Sequence, residues 1–552
     1  MPIDPKTLVG RADDLFTSSE RYNNESTWDE LTEFMLNNQH TLFRTVASST
    51  TDLGNELSSA RGAKQTRRVF DSTAMIAARD LAAAIQGTLT NPATMWSKLR
   101  FQDDELNNND QAIKWLEDVN RVIHETLNES NFKGEIGKTY QSFVTLANGP
   151  MFLESDDTDG FRFTSLHLGQ VVWTQDKDGK VDTVYRKFTM TAKQMVEKWE
   201  AKVHPDIMEA LEKDPTKEFT ILHCITPRKP EEVRLNDMGL APGDKRPIAS
   251  IYVDTSHHVT IEETGYYEMP VFIPRWGLMP GEVYGRGPGH LALPDTRTLN
   301  QVVHRSLQVL DRKIAPPILA NQRDILGTLD VRPYGISVVR DVNGIREFTT
   351  QSNSQDVQIS VEELKSSIRT IFYLDKLLLP PRNEIGEMTA FEVARRTEEM
   401  DRVLGPTLSR LNNELLNPLI VRCFRILLRA NRLPPLPETL QGVDVNVEII
   451  FVNQLARAQQ VQDVSTIQQW VQGLGLIAQL DPSVIDNLDA DGIARHTAKV
   501  LGVPEIAVAN QDDIEQIRQQ RAQQAQQTQA LDSAVKAADV SSKLDTGGET
   551  GL

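Results

Sequence analysis

Residues 281–319 read GEVYGRGPGHLALPDTRTLNQVVHRSLQVLDRKIAPPIL, and the rest of the chain is organised around them. Glycines stand at 281, 285, 287 and 289, with Pro288 among them. Pro294-Asp295 has the form of a helix start, because a first-turn proline has no backbone hydrogen bond to lose. Pro316-Pro317 has the form of a stop. Between them Leu299, Val303, Leu307, Leu310 and Ile314 recur at steps of three and four. That spacing predicts one apolar stripe on a helix about 30 Å long. Arg297, Gln301, Arg305, Gln308 and Arg312 fall on the other side. A helix so bounded reads as a strut, and the glycine run before it as a flexible hinge.

Downstream, 318–356 carries turns at Pro333, Gly335 and Asn343-Gly344 and a short β pattern, which predicts a small β module. A second helix is expected at about 360–378, with Leu364, Ile368, Ile371, Leu374 and Leu378 on one side. Two helices of similar length around a short insert make an antiparallel pair with the module at its far end. Residues 379–388 (LPPRNEIGEM) are irregular. Thr389 and Glu392 then form a capping box for a long helix to about 431, with kinks at Gly405-Pro406 and Pro418. A strand is expected at 443–452 and more helices at 455–503. The Gln- and Ala-rich segment 512–538 is helical by propensity, and 541–552 reads as disordered.

Upstream, the periodicity predicts helices at 12–46, at 72–86 (capped by Asp71 or Ser72 and ended by Gly87), and at 109–129. From about 140 to 290 the period shifts toward two. Strands are expected at 144–147, 151–154, 219–225, 248–253 and 259–262. A hairpin at 171–190 should turn on Asp176-Lys177-Asp178-Gly179. Thr191 and Gln194 make a capping box for a short helix to Trp199.

At 552 residues the length predicts about three or four domains. No long apolar run is present, so no membrane span is expected, and the first residues lack a secretory pattern. Two distant cysteines, Cys224 and Cys423, fit a reduced compartment with buried thiols. A net charge of −18 argues against a protein that coats nucleic acid. It is compatible with one that lets DNA pass without gripping it.

The chemical motifs are incomplete. Gly137-Lys138-Thr139 matches the end of a phosphate loop, but Phe132 stands where the loop needs glycine. Asn487, Asp489, Asp491 and Gly492 match half a calcium loop, with Ala498 in place of the closing glutamate. His223-Cys224 and His257-His258 fall into no metal-ligand spacing, and no nucleophile or zincin motif is present. No catalytic residue, cofactor or metal is therefore expected. Arg297, Arg305 and Arg312 suit DNA phosphates, a solvated helix face, or pairing with acidic residues of a neighbouring subunit.

Several blocks, in order, resemble the portal (head-to-tail connecting) proteins of short-tailed bacteriophages. They are 67–101 (RRVFDSTAMIAARDLAAAIQGTLTNPATMWSKLRF), 115–132, 181–199, 273–300 (IPRWGLMPGEVYGRGPGHLALPDTRTLN), 388–406 and 501–508 with 517–527. The resemblance implies an α+β, mainly α, portal fold assembling as a dodecameric ring at one capsid vertex. Its parts would be the wing (1–292), stem helix 1 (293–316), clip (317–357), stem helix 2 (358–379), channel loop (380–388), wing spine (389–454), crown (455–505), C-terminal helical barrel (506–540) and a disordered tail (541–552). The channel loop would present Arg382, Asn383, Glu384 and Glu387 to DNA. The stem would place Arg297, Arg305, Arg312, Val303, Leu307 and Leu310 toward the channel or a neighbouring subunit. The implied function is non-enzymatic: a conduit for DNA packaging and ejection. The implied partners are further copies of the chain, the terminase large subunit, tail adaptor and tail proteins, major capsid and scaffolding proteins, and double-stranded DNA. The implied location is the virion head–tail junction, with the host cytoplasm during assembly. The competing readings are another virion structural protein, such as a tail adaptor or internal core protein, and a metal-dependent DNA nuclease.

Overall fold

The computed structural model describes residues 4–36, 69–92, 94–103, 106–156, 160–233, 241–314, 318–320, 345–347, 354–377, 404–437, 440 and 447–451, with scattered helical residues between 467 and 524. The chain divides into two compact units, Met1–Asn453 and Gln454–Leu552, where length alone predicted three or four domains. The predictions at 380–388, for the first part of the long helix, and for most of 455–552 fall outside the described residues.

The first unit opens with α1 (Pro5–Phe16) and α2 (Ser19–Met35). The single predicted helix breaks at Thr17-Ser18, where the Ser18 hydroxyl caps α2 by accepting from Arg21 N. Helix α3 (Thr73–Leu89) follows, then β1 (Ser97–Phe101), α4 (Asp110–Glu129) and α5 (Phe132–Leu146). Two expectations fail here. Gly87 does not end α3, which runs two residues further. Residues 144–147 are not a strand but the end of α5, and Ala147 closes that helix in the left-handed conformation (φ 59°). Asp71 does act at the start of α3, its Oδ1 accepting from Thr73 N at 2.8 Å. The run Gly137-Lys138-Thr139 lies inside α5, where Lys138 pairs with Glu135 (2.6 Å) and the Thr139 hydroxyl donates to Glu135 O. It is helix surface and helix interior, with no loop to cradle a phosphate.

The β-rich part contains β2 (Met151–Asp156), β3 (Gly160–Ser165), β4 (Val171–Gln175), β5 (Val181–Thr191), β6 (Glu218–Pro227), β7 (Ile248–Asp254), β8 (Val259–Tyr266) and β9 (Val271–Phe272). Strands β4 to β8 form an antiparallel five-stranded meander in chain order, and β3-β2-β9 form a smaller antiparallel sheet. The predicted hairpin turn is present: Asp176 Oδ1 accepts from the backbone N–H of Asp178 and Lys180, and Gly179 takes φ 76°. Helices α6 (Ala192–Trp199), with its Thr191–Gln194 capping box, and α7 (Pro205–Lys213) connect β5 to β6.

Period two decides how the meander is covered. Leu222 and Cys224 join Val172, Tyr185, Ile251 and Val253 on one face, under Leu8, Val9, Ala12 and Phe16 of α1. Phe219, Ile221, Tyr252 and Ile261 point the other way, onto Met195, Trp199 and Ile207 of α6 and α7. Both cysteines are buried and unpaired, and burial pushes the Cys224 thiol up to about 12.

Helix α8 (Pro288–Ile314), strands β10 (Ile318–Ala320) and β11 (Ile345–Glu347), and α9 (Ser354–Ile371) come next. Strands β10 and β11 pair antiparallel between the two helices, as expected for a small β module. Residues 404–411 are helical and pass through a π-turn, Asn412–Leu416, into α10 (Asn417–Arg429). The wider turn sits just before Pro418, which has no N–H to continue the α ladder. Finally β12 (Val447–Phe451) pairs antiparallel with β1, from Ser97 opposite Phe451 to Phe101 opposite Val447. The chain therefore closes on a strand some 350 residues earlier, a partner that local periodicity does not reveal.

Candidate functional site on the paired helices

Gly285, Gly287 and Gly289 around the start of α8 are packed as a seat rather than a hinge, while Gly281 takes φ 86° with nothing packed on it. Trp276 N donates to Ala147 O (2.9 Å), Gly149 N to Pro274 O (3.1 Å), and Gly285 N to the Asn148 side-chain oxygen (2.9 Å). A Cβ on Gly285 would lie 2.7 Å from Ala147 O, and one on Gly289 only 2.2 Å from Thr145 O. Glycine is used there because backbone approaches backbone, not because the segment bends. Helix α8 accordingly begins at Pro288, six residues earlier than Pro294-Asp295 suggested, and Pro294 lies within it. With 27 residues it is about 40 Å long.

Polar anchors fix this seat to the body. Arg275 is 3% exposed; its Nη2 reaches Glu414 Oε1 at 2.6 Å and Gly179 O at 3.0 Å, and its backbone N donates to Glu414 Oε2 at 2.8 Å. One arginine thus joins the hairpin turn, the segment before α8 and the π-turn. Losing either partner of such a pair leaves an uncompensated buried charge, at a cost of about 3–5 kcal/mol. Buried Arg21 donates to Leu168 O (2.8 Å) and Val171 O (3.3 Å), while its guanidinium lies 4.8 Å from the Trp28 ring and 5.6 Å from the Tyr284 ring. Val283 N donates to Glu20 Oε1.

From this seat α8 passes out of the core. Ala292, Leu293, Thr296, Leu299 and Asn300 are buried. Asn300 Oδ1 accepts from Phe70 N and Asp71 N, and Lys365 of α9 lies 3.4 Å from the Asp71 carboxylate. Ser367 Oγ donates to Asp295 Oδ2 (2.7 Å). Ile368 and Phe372, at the end of α9, are fully buried. The two helices therefore run antiparallel, the start of α8 and the end of α9 both rooted in the core. Helix α9 begins at Ser354, before the predicted start.

Beyond the root the apolar stripe loses its cover. Val303 still packs on the core, but Leu307 is 45% exposed, Leu310 51% and Ile314 73%, and Ile359 of α9 is 59% exposed. On the polar side Arg297 pairs with Glu30 of α2, in a cleft of about 580 Å³ also lined by Glu33, Phe70 and His304. Arg305 and Arg312 are exposed. The structure thus brings Arg297 to an acidic partner within the chain and leaves the other two arginines on the projecting part. Arg382, Asn383, Glu384 and Glu387 lie outside the described residues. The anchor pair Arg275–Glu414 was missed from sequence; its only local signal is an arginine between Pro274 and Trp276 in an otherwise apolar segment.

The described residues thus combine a body of sheet and helix with an antiparallel helix pair rooted in it, whose apolar stripe is uncovered in the single chain. The profile of the family described as "Bacteriophage head to tail connecting protein" matches residues 7–508. The chain is 30% identical over 518 residues to the "Probable portal protein" of Bordetella phage BPP-1, and 29% identical over 511 residues to the "Portal protein" of Salmonella phage epsilon15. Each alignment covers 91% of this chain and 88% of the relative. The chain belongs to the head-to-tail connecting, or portal, protein family of bacteriophages. Proteins of this family are structural components of the virion at the junction of head and tail, and the family points away from catalysis. Among the described residues no helix is long and apolar enough to cross a membrane.

Proposed function

We propose that the protein assembles as a closed ring of twelve subunits at a single vertex of the phage head, through which DNA is packaged and later ejected. The observation that carries this reading is the uncovered stripe Leu307, Leu310 and Ile314 on a helix pair rooted in the core. An apolar row on a projecting helix needs a partner surface. In a ring of identical head-to-tail contacts the same row meets the same complementary surface on every neighbour. In this reading α8 and α9 are the stem, 317–357 the clip that meets the terminase large subunit and then tail adaptor and tail proteins, and 380–388 the channel loop facing DNA. Residues 389–454 are the wing spine, 455–505 the crown, and 506–540 a helical barrel. Capsid and scaffolding proteins contact the outer rim. The charge of −18 suits a conduit, since a mainly acidic lining repels phosphate and lets DNA slide, while recurring arginines such as Arg305 and Arg312 centre it.

The test is negative-stain imaging of the purified protein beside Leu307→Asp. Wild type should form rings with a central hole and twelve-fold top views. The variant should remain monomeric with the thermal midpoint of wild-type monomer, because a charge replaces an apolar contact that only assembly buries. Normal rings from the variant would show that the stripe is not the interface.

A further inference from the structure

Among the described residues, one cluster of metal-ligating side chains lies away from the helix pair. His204 precedes Pro205 at the start of α7, Asp206 lies in its first turn, and His257 lies in the turn between β7 and β8. One donor atom from each lies within 4.8 Å of the other two. The imidazoles of His204 and His257 stack in parallel at 4.0 Å. His257 Nε2 is 3.2 Å from Asp206 Oδ2, and His204 Nδ1 is 3.7 Å from Asp206 Oδ1.

The orientation of His257 is fixed from behind. Asp254, 1% exposed at the end of β7, places Oδ2 2.6 Å from His257 Nδ1, and its Oδ1 accepts from Ser256 N. The carboxylate can only accept, so Nδ1 carries the proton and donates to it. The ring's Nε2 faces the second carboxylate, that of Asp206, at 3.2 Å, a separation that suits either a proton shared between them or two ligands of one ion. A buried carboxylate behind a histidine whose other nitrogen faces open ligands is the arrangement that orients metal-binding imidazoles and raises their basicity.

We propose that His204, Asp206 and His257 bind a divalent transition metal of the zinc type, with Asp254 as the positioning residue behind His257. Two imidazoles and one carboxylate suit Zn²⁺, and a tetrahedral ion takes its fourth ligand from solvent. Binding opens the parallel stack so that both rings turn a nitrogen to one centre. The ion ties the start of α7 to the β7–β8 turn, two segments about 50 residues apart in sequence. All three ligands are partly or well exposed, with side-chain exposures of 31% for His204, 64% for Asp206 and 22% for His257, so an ion has access.

The experiment uses the full chain stripped with chelator and titrated with Co²⁺, followed by visible absorption, then by competition with Zn²⁺. Wild type should bind one ion per chain, develop the intense bands of a four-coordinate site, and rise in thermal midpoint with metal. His204→Ala/His257→Ala should lose the bands and the metal-dependent rise, its midpoint with metal equal to its own midpoint without. Asp254→Asn should weaken affinity about 10–100-fold without changing the stoichiometry. No saturable binding by wild type, which would leave a proton as the bridging cation, overturns the proposal. So does equal binding by the double variant, which places the ion elsewhere. If the double variant does not fold, Asp206→Asn, an exposed change, must weaken binding, and unchanged affinity there rejects the site.

Discussion

At the scale of single residues, two glycines in similar sequence settings behave oppositely because only one has a backbone against it. Gly289 sits where a Cβ would meet Thr145 O at 2.2 Å, whereas nothing lies within 4 Å of the Cβ position of Gly87 in α3. Gly289→Ala should therefore destabilise by about 2–3 kcal/mol through forced displacement of α5 from α8. Gly87→Ala should stabilise by about 0.5–1 kcal/mol by removing backbone freedom from the unfolded chain. Thermal midpoints of both variants check this, and a neutral Gly289→Ala would mean that the seat can relax. Histidines make a second residue-scale case. Burial, with Arg21 nearby, holds His167 down to about 4, and burial with Arg286 does the same for His290. Their folded pKa lies below the unfolded value of about 6.5, so the unfolded chain binds more protons between these limits. Stability is thus whole above pH 6.5 and is lost as pH falls toward 4. By pH 5 the loss should be about 1–2 kcal/mol for each histidine, since both keep some contact with solvent. His167→Gln/His290→Gln should flatten the fall in thermal midpoint between pH 7 and 5, and an identical slope would remove these two residues as its cause.

At the scale of elements, the helix pair shows what periodicity reveals and what it leaves out. Steps of three and four from Leu299 to Ile314 identified the apolar stripe of α8, and Ile368 identified the buried side of α9. They could not divide that stripe into a covered half and an uncovered half. Val303 packs on the core and Leu307, one turn on, does not, because the described core cluster takes in the first and not the second. The start of α8 was misplaced for a related reason. Pro294 looks like a first-turn residue, yet the helix already runs from Pro288, held by the glycines packed on α5. The strand pair β1–β12 was half legible: 443–452 was read as a strand, but its partner at Ser97–Phe101 was not. The hairpin and both hydrogen bonds of the Thr191 capping box were fully legible, since each is closed within a few residues. Elements specified by contacts near in sequence are readable; elements specified by a distant partner are not.

At the scale of the whole molecule, the ring reading assigns 380–388 to the channel wall, so its loss should separate assembly from DNA handling. Deleting 380–388 should leave rings of normal size in negative stain while reducing packaged or retained DNA in assembled heads. Normal packaging and retention with that deletion would take these residues away from the channel.

The sequence by itself determined the family, the mainly helical class, the hairpin, the Thr191 capping box and the existence of a strut with one apolar side. All of these follow from local propensity, from period and from ordered blocks of residues. The tertiary structure alone decided that Gly285, Gly287 and Gly289 form a seat, that Arg275 finds Glu414, that the stripe emerges from cover after Val303, and that His204, Asp206 and His257 meet. The physical reason is the same in each case. Close backbone approach, burial of a charge and convergence of ligands depend on which distant segments share a surface, and a single chain's periodicity carries no record of that.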